Sequence, residues 1–250
     1  MRTLAALALA ALLLAAGCSG GGSEEATTAS AATTAEASDQ FEPDDAVGAA
    51  LRRFVDAAAA GDATVMWRLL SARSREQLGP TQAEFADLAA DLERGLGSFG
   101  GTPYRLVLSV RTASGWGVAA VAGGRIRSGE AEFAAYGAAL RLEGGEWRIE
   151  LGDPVDIVNN EPPETTADRQ PRVQFELSAD APVEEAGLWL DGVPLPATAG
   201  GTADAVTLVA TPESPLEPGW HVLVVFGRAG EAATAGATPF EVEAGAEPTI

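Results

Sequence analysis

The chain of 250 residues contains few of the side chains on which enzymes and metal sites usually depend. It has one cysteine, Cys18, one histidine, His221, and no lysine. One cysteine cannot form an internal disulfide bond, and a metal site cannot be built from paired histidines or cysteines here. A P-loop and a Ser-Lys catalytic site both require a lysine. The composition therefore excludes these classes, and we expect neither a metal nor a cofactor.

One segment matches a catalytic motif by its letters alone. Residues 17–21, Gly-Cys-Ser-Gly-Gly, spell the G-x-S-x-G pattern of a nucleophile elbow. That motif needs a strand before it and a helix after it. An apolar leader precedes these residues and a Gly- and Ser-rich tract follows them, so we assign them no catalytic role.

The surroundings of Cys18 predict a different chemistry. Arg2 precedes an uncharged run of Leu and Ala, which ends in Leu14-Ala15-Ala16-Gly17-Cys18. The run is short for a transmembrane helix and leads into small residues, so residues 1–17 are predicted to be a signal peptide. An ordinary secretory signal followed by an unrelated cysteine is the alternative.

The Gly17-Cys18 ending resembles the lipobox of bacterial lipoproteins. The resemblance implies that the Cys18 thiol carries a lipid such as palmitate and that cleavage before it makes it the N-terminus. Two acyl chains would hold the protein firmly to a membrane, since each buried methylene contributes about 0.8 kcal/mol. The expected location is the extracytoplasmic face of the cell membrane.

The charge of the chain narrows the choice of partners. Sixteen arginines and 36 acidic residues give a formal net charge of −20. Such a surface repels phosphate backbones, so we expect no nucleic-acid partner. Residues 43–155 carry 15 acidic residues and 12 arginines, a net charge of −3, whereas residues 171–243 carry 11 and 2, a net charge of −9.

Composition divides the mature chain into segments. Residues 18–42 are rich in Gly, Ser, Thr, Ala and Glu, and are predicted to form a disordered tether because they can bury little apolar surface. Residues 156–170 are rich in proline and charge and are predicted to be a linker. The segments 43–155 and 171–243 are then two domains, and residues 244–250 form a tail.

Hydrophobic periodicity predicts an α+β fold for residues 43–155. Apolar residues at helical spacing predict three helices, which carry Val47 to Ala58, Val65 to Leu70 and Phe85 to Leu96. Period-two alternation then predicts strands at 104–111, 116–122, 130–142 and 147–151, the last pair joined by a Gly144-Gly145 hairpin turn. Helices followed by an antiparallel sheet indicate helices that cover one sheet face.

A family resemblance is carried by three features of this domain. Phe54 is followed by Ala60-Gly61-Asp62 and a helix, and the strands close on Glu146-Trp147-Arg148-Ile149. The pattern resembles the cystatin-like cone of the nuclear-transport-factor-two-like superfamily. That superfamily includes ketosteroid isomerase-like and polyketide cyclase-like enzymes and many noncatalytic envelope modules, so the resemblance implies a fold without deciding the function.

Candidate site residues follow from the chemistry that such a cone would need. A candidate pocket consists of the aromatic residues Trp67, Tyr104, Trp116 and Tyr136. An enzyme would also need a carboxylate or histidine in the cone, and the candidates are Asp87, Glu130 and Glu132 together with the two tyrosines. Each of these residues also fits an ordinary surface, turn or core position, so we expect no catalysis.

Residues 171–243 are predicted to be all-β. Asp191-Gly192 is a strong hairpin signal, and Pro218-Gly219 predicts a turn into the apolar run Trp220 to Phe226, which is typical of a strand buried on both faces. Short strands at this spacing indicate a small sandwich.

The segment Leu216 to Val222, with Phe240-Glu241-Val242 later, resembles bacterial immunoglobulin-like envelope domains. Some relatives bind metal through several histidines. His221 is the only histidine of this chain, so that activity is not implied, and a hydrogen-bonded strand residue is expected instead. Asp180, Glu184 and Glu185 are acidic neighbours, but their spacing is not that of a calcium-binding loop.

The sequence thus predicts a noncatalytic envelope lipoprotein that is anchored through Cys18 and binds a protein or cell-wall component. The alternative is a small-molecule or enzymatic pocket inside the cone, and a third possibility is an accessory subunit of wall synthesis. A cone closed or filled by tryptophan favours the first hypothesis. An open cavity that holds a buried carboxylate favours the second.

Overall fold

The computed structural model describes residues 41–78, 81–96, 99, 103–127, 130–152 and 154–245. Cys18, the predicted signal peptide and nearly all of the predicted tether therefore lie outside the described residues.

The first two helices begin at side-chain caps. The Asp44 carboxylate accepts a hydrogen bond from the Ala46 N–H at 3.0 Å, and Asp62 accepts one from Val65 at 2.9 Å. The helices of the described chain are α1 (Asp45–Ala59), α2 (Ala63–Leu69), α3 (Ala72–Leu78) and α4 (Gln82–Leu96).

The first sheet, sheet 1, is antiparallel, and its strands follow one another in chain order. Its strands are β1 (Phe41–Pro43), β2 (Tyr104–Thr112), β3 (Gly117–Arg127), β4 (Glu130–Glu143) and β5 (Glu146–Glu150), in that spatial order. The hairpin between β4 and β5 turns at Gly144 and Gly145, whose φ angles are +59° and +84°, as the sequence predicts. Apolar residues of α1, α2 and α4 pack on one face of this sheet.

The second half of the chain forms two more sheets. Its strands are β6 (Asp156–Glu161), β7 (Thr165–Thr166), β8 (Val173–Ser178), β9 (Val183–Leu190), β10 (Val193–Pro194), β11 (Thr198–Gly201), β12 (Ala205–Ala210), β13 (Gly219–Ala229) and β14 (Ala232–Val242). Sheet 2 has the order β10-β9-β13-β14-β7, and sheet 3 has the order β11-β12-β8-β6. The pairings are antiparallel apart from the parallel contact of β7 with β14.

The helices and sheets stack as successive layers. Alternate residues of β13 explain the order, because Val222, Val224 and Phe226 pack against sheet 1 whereas Leu223 and Val225 pack against sheet 3. The layers therefore run from the helices through sheet 1 and sheet 2 to sheet 3. The prediction that Trp220 to Phe226 is buried on both faces holds for these β13 residues, which are at most 1 % exposed from Val222 to Phe226.

Sheets 1 and 2 share an apolar layer, and all described residues fall in one compact unit. The backbones of β4 and β14 approach closely at Gly137, where a Cβ atom would lie 2.7 Å from the carbonyl carbon of Gly236. Only glycine avoids that contact without a shift of the strands. The two halves of the chain thus form a continuous interior.

Three predictions require correction. Phe41 and Glu42, at the end of the predicted tether 18–42, belong to β1, which pairs with β2. The predicted linker 156–170 contains the short strand β7, which pairs with β14, and, over residues 156–161, the strand β6, which pairs with β8 at the edge of sheet 3. Pro162 and Pro163, which suggested a linker, lie beyond the end of β6. An edge strand needs apolar residues on only one side, so the sequence of β6 gives a weak strand signal. The helical region also contains α3, so four described helices replace the predicted three. No helix in the described ranges is long and apolar enough to cross a membrane.

Candidate ligand pocket

A pocket of about 330 Å³ opens at the side of the molecule, where α4 and the edges of sheets 1 and 2 meet. Apolar side chains form most of its wall, and one carboxylate is among its lining groups. The principal lining residues are Leu88 and Leu92 of α4, Tyr136 and Ala138 of β4, Glu150 of β5 and Ala235 of β14. This volume is at the lower end of what small-molecule and side-chain binding pockets occupy.

The pocket exists because β5 is shorter than β4. β5 pairs with β4 only over Ala139–Glu143, so no described strand lies beside the preceding residues of β4 on that side. Ala138 carries only a methyl group, which leaves space in the wall beside it. The chain leaves β5 through Leu151 and Gly152, which form the rim.

Glu150 is the unusual member of the wall. Its side chain has no exposed surface, and its Oε1 atom accepts a hydrogen bond from Arg73 Nη1 at 2.7 Å. Its Oε2 atom is buried and has no hydrogen-bond partner in the described structure. An ionised carboxylate oxygen accepts hydrogen bonds, and leaving one unsatisfied in the interior is costly. A ligand that donates an O–H or N–H group to Oε2 would remove that cost.

The loop before α3 positions Arg73. Leu70 lies beside Ile149, and the Ser71 N–H donates to the Ile149 carbonyl at 2.8 Å, which extends the edge of sheet 1 beside β5. The buried Ser74 hydroxyl then accepts from the Leu151 N–H at 2.8 Å and donates to the Leu151 carbonyl at 3.1 Å. These bonds hold the first turn of α3 against the exit of β5, within reach of Glu150.

The four aromatic residues predicted to line a pocket do not come together. Tyr136 lines the pocket, whereas Trp116 lies on the opposite face of sheet 1, between sheets 1 and 2, where the Arg141 guanidinium is 4.7 Å from its ring centroid. Trp67 packs at the margin of the helical core, with Arg75 at 5.1 Å from its ring. The prediction could not separate the two faces of sheet 1, because both are covered.

Tyr104 belongs to a separate structural contact. Its hydroxyl donates to Asp56 Oδ1 at 2.7 Å. Burial of the phenol, together with the Asp56 carboxylate, raises its pKa to about 12. A phenol that already donates to a carboxylate is a poor candidate for proton transfer at neutral pH. Asp87 is exposed on α4, as expected from its outward position, and the side chain of Glu130 lies outside the described residues.

Sequence patterns did not single out Glu150 or Arg73. In β5 the apolar residues Trp147 and Ile149 alternate with polar ones, a pattern that indicates a solvent-facing position for Glu150. Its burial arises where sheets 1 and 2 stack and α3 closes the sheet edge, and a single strand carries no signal of that. The short α3 segment has no apolar stripe, so its contribution was equally hidden.

Three other titratable residues discussed from the sequence, His221, Glu184 and Glu185, have defined partners. His221 Nδ1 lies 2.7 Å from Asp191 Oδ2, and its Nε2 lies 2.7 Å from the Glu217 carbonyl oxygen. The Asp191 hydrogen bond raises the pKa of His221, against the opposing effect of partial burial. Glu184 and Glu185 pair with Arg228 at 2.5 and 3.3 Å, and no group of three potential metal ligands occurs in the described part of the chain.

Comparison of the sequence with protein-family models and with curated proteins gives no match. The functional argument therefore depends on the geometry of the pocket. Its largely apolar wall includes Glu150, which is paired with Arg73 through Oε1 and has a buried, unbonded Oε2 atom in the described structure.

Proposed function

We propose that the protein is a noncatalytic, membrane-anchored envelope lipoprotein that binds a protein or cell-wall component, and that the pocket at Glu150 is its recognition site. The proposed anchor is a lipid on Cys18, supported by the Gly17-Cys18 ending of an apolar leader. The proposed location is the extracytoplasmic face of the cell membrane. An anchor at one end would leave the layered body free to meet partners.

The proposed architecture is a cystatin-like cone followed by an immunoglobulin-like sandwich. Helices packed on one face of a five-stranded antiparallel sheet support the first assignment. Two sheets packed face to face through residues such as Phe175, Leu223 and Phe240 support the second. In this proposal the two modules share a buried face instead of being joined by a flexible linker.

The unsatisfied Oε2 atom of Glu150 carries the proposal of a binding role. Arg73 already supplies a positive charge to this carboxylate, so the partner group that fits best is a neutral hydrogen-bond donor, such as a hydroxyl or amide N–H. The apolar wall around it favours a donor attached to an apolar body. A hydrogen bond to a charged group contributes about 1.5–3 kcal/mol.

Two probes of equal size test this recognition. Cyclohexanol can donate a hydrogen bond, whereas cyclohexanone can only accept one. Full-length protein in detergent should bind cyclohexanol about tenfold more tightly than cyclohexanone, as measured by ligand-observed NMR titration. Glu150→Gln keeps the side-chain shape and can orient its amide N–H₂ toward the ligand, so it should reverse the preference.

Glu146→Gln is the matched control, because Glu146 lies on the same strand and is 60 % exposed. It should retain the preference of the unmodified protein. An unchanged cyclohexanol preference in Glu150→Gln would refute the role assigned to Oε2. A general loosening of the structure would weaken both probes alike and could not invert their order.

A second candidate function is storage or transport of a small molecule, and the volume of the pocket favours it. This candidate predicts that native mass spectrometry of protein purified from its own membranes shows a bound compound that is displaced by cyclohexanol. A protein recovered without any such adduct would leave macromolecular binding as the better proposal.

A further inference from the structure

β14 has a long unpaired edge. Its partner on one side is β13 over the whole strand, but on the other side β7 contacts only Glu241 and Val242. Among the described strands, nothing pairs with residues 232–240 on that side. Such edges usually carry lysine, proline, bulges or inward-pointing charges that limit further pairing, and the one proline of this edge is Pro239 near its end. The β13–β14 ladder has no bulge, and small residues predominate along the edge.

The phase of the ladder shows which backbone groups point outward. The Glu241 N–H donates to the Glu164 carbonyl at 2.8 Å, so it faces away from β13. In an antiparallel ladder without a register shift the orientation alternates, so residues 239, 237 and 235 share this phase. Pro239 has no N–H, and in this phase it removes no bond to β13. Ala235 and Ala237 therefore present N–H and C=O groups at the open edge.

Two crossings of the chain frame this edge. At one end the Val155 N–H donates to Thr234 Oγ1 at 3.2 Å, where the chain passes from sheet 1 to sheet 3. At the other end β7 pairs with Glu241. The six residues between them, 235–240, span roughly 20 Å at about 3.3 Å per residue. That length accommodates one short additional strand.

Pockets lie on both faces of sheet 2 at this edge. The pocket at Glu150 lies on the side of sheet 1, and a second pocket of about 330 Å³ lies on the side of sheet 3, between β6 and β14. Thr234 and Ala235 line both pockets. An added strand would direct alternate side chains toward opposite faces of the sheet, and therefore toward these two pockets.

Each pocket is lined by a residue that has a buried acceptor atom without a partner in the described structure. Glu150, with its Oε2 atom, lines the first pocket, and Asn159, with its Oδ1 atom, lines the second. Asp156 also lines the second pocket. The side chains that fit are hydrogen-bond donors, and the net charge of −20 favours a positively charged segment.

We propose that the edge of β14 between Thr234 and Glu241 docks an extended, positively charged peptide segment of a partner protein by strand addition. The outward N–H and C=O groups of Ala235 and Ala237 bond the peptide backbone, and neighbouring donor side chains enter the two pockets. This inference rests on the proposed function in one respect, since the pocket at Glu150 receives one of those side chains.

The probe is a fluorescein-labelled peptide of sequence Val-Thr-Arg-Val-Thr-Arg, titrated against the full-length protein by fluorescence anisotropy. Its backbone N-methylated form keeps every side chain but cannot donate ladder hydrogen bonds. We expect the unmethylated peptide to bind at least about tenfold more tightly than the methylated form and than a Val-Thr-Glu-Val-Thr-Glu peptide. Equal affinity for the methylated form, or no binding of the basic peptide, would overturn strand addition.

A protein variant tests the same edge from the other side. Ala237→Pro removes an N–H that faces away from β13, as Pro239 already does naturally, and should reduce peptide affinity at least about tenfold. Ala237→Ser keeps the N–H and should retain binding. Thermal melting reports whether the proline variant is folded. If it is not, the comparison of methylated and unmethylated peptides on the unmodified protein still tests strand addition.

The two proposals fail in different ways. A cyclohexanol preference that reverses in Glu150→Gln, together with no difference between methylated and unmethylated peptides, would reject the docking edge and leave the pocket intact. If the unmodified protein shows no preference for cyclohexanol but binds the unmethylated peptide more tightly than the methylated one, the pocket at Glu150 is rejected and the docking edge stands.

Discussion

The carboxylate of Glu150 has surroundings in the fold that its position in the sequence does not indicate. Glu150 ends a short strand in an alternating pattern typical of a solvent-exposed residue, yet it is fully buried beside Arg73. Burial of an ionised group is tolerated when a charge and hydrogen bonds compensate it. Here the compensation is incomplete by one oxygen atom, and that deficit is the basis of the proposed preference for a donor.

His221 gives the protein a pH-dependent contribution to stability. Its pKa is raised above 6.5, chiefly by the hydrogen bond to Asp191, so the folded state favours the imidazolium. The resulting stabilisation is fully present below pH 6.5 and is lost as the pH rises through the folded-state pKa. Because His221 is the only histidine, its ring proton signals in NMR should report the raised pKa directly.

Asp191→Asn is the informative variant. It keeps a side-chain carbonyl for the Val222 N–H, which Asp191 Oδ1 now accepts at 2.9 Å, and asparagine tolerates the φ of +52° at this turn. The pKa of His221 should fall, and the loss of stability above pH 6.5 should shrink. An unchanged pKa would show that Asp191 is not the main cause of the shift.

Cys18→Ala tests the anchor. If the Gly17-Cys18 pattern directs acylation, the variant should lose all incorporation of labelled palmitate in cells, because the chain has no other thiol. Ser19→Ala is a matched control and should label normally. Retained label in Cys18→Ala would place the lipid on another residue, and an unlabelled parent protein would favour an ordinary secretory signal.

At the scale of elements, the sequence predicts which segments form strands and hairpins better than it predicts which strands pair or pack together. The Asp191-Gly192 hairpin between β9 and β10, the Gly144-Gly145 hairpin and the doubly buried β13 are all present. These features depend on local turn geometry and on runs of apolar residues. β6 was missed because an edge strand requires only weak alternation, and its residues are partly exposed.

The length of β14 is not predictable from the sequence for a related reason. Its residues Ala232 to Gly236 have low strand propensity, and they are strand residues because β13 pairs with them and β4 packs across them. The pocket is not predictable from the sequence either. A side pocket formed by one strand ending early cannot be read from any single element, since it depends on what the neighbouring layers leave uncovered.

Gly137→Ala measures the close approach of β4 and β14. The new Cβ atom would meet the Gly236 backbone at 2.7 Å, which cannot move aside as a flexible side chain would. Overpacking of this kind costs about 1–3 kcal/mol, so the urea midpoint should fall. Gly124→Ala on β3 is the matched control, because its Cβ would meet nothing within 4 Å. Equal midpoints for the two variants would show that the sheets separate readily at this point.

At the scale of the whole molecule, the layer between sheets 1 and 2 determines how the chain must fold. One side of that layer contains Leu108, Trp116 and Val118 of sheet 1, and the other contains Trp189 and Phe226 of sheet 2. Separate domains on a flexible linker would expose all of these side chains. The two halves should therefore depend on each other for stability, unlike modules joined by a tether.

Expression of the halves as separate polypeptides, residues 41–155 and 156–245, tests that dependence. Each half should lack a cooperative unfolding transition and should bind a hydrophobic dye, because β3 and β13 would each lose the cover of one face. Mixing the halves should restore a cooperative transition and release the dye, since the apolar layer can re-form. Phe226→Ala in the second half should weaken this reassociation, because it leaves a cavity in the layer, whereas Val158→Ala, at a side chain 43 % exposed, should not. A first half that unfolds cooperatively alone would mean that sheet 1 and its helices form an independent domain, and that sheet 2 only rests against it.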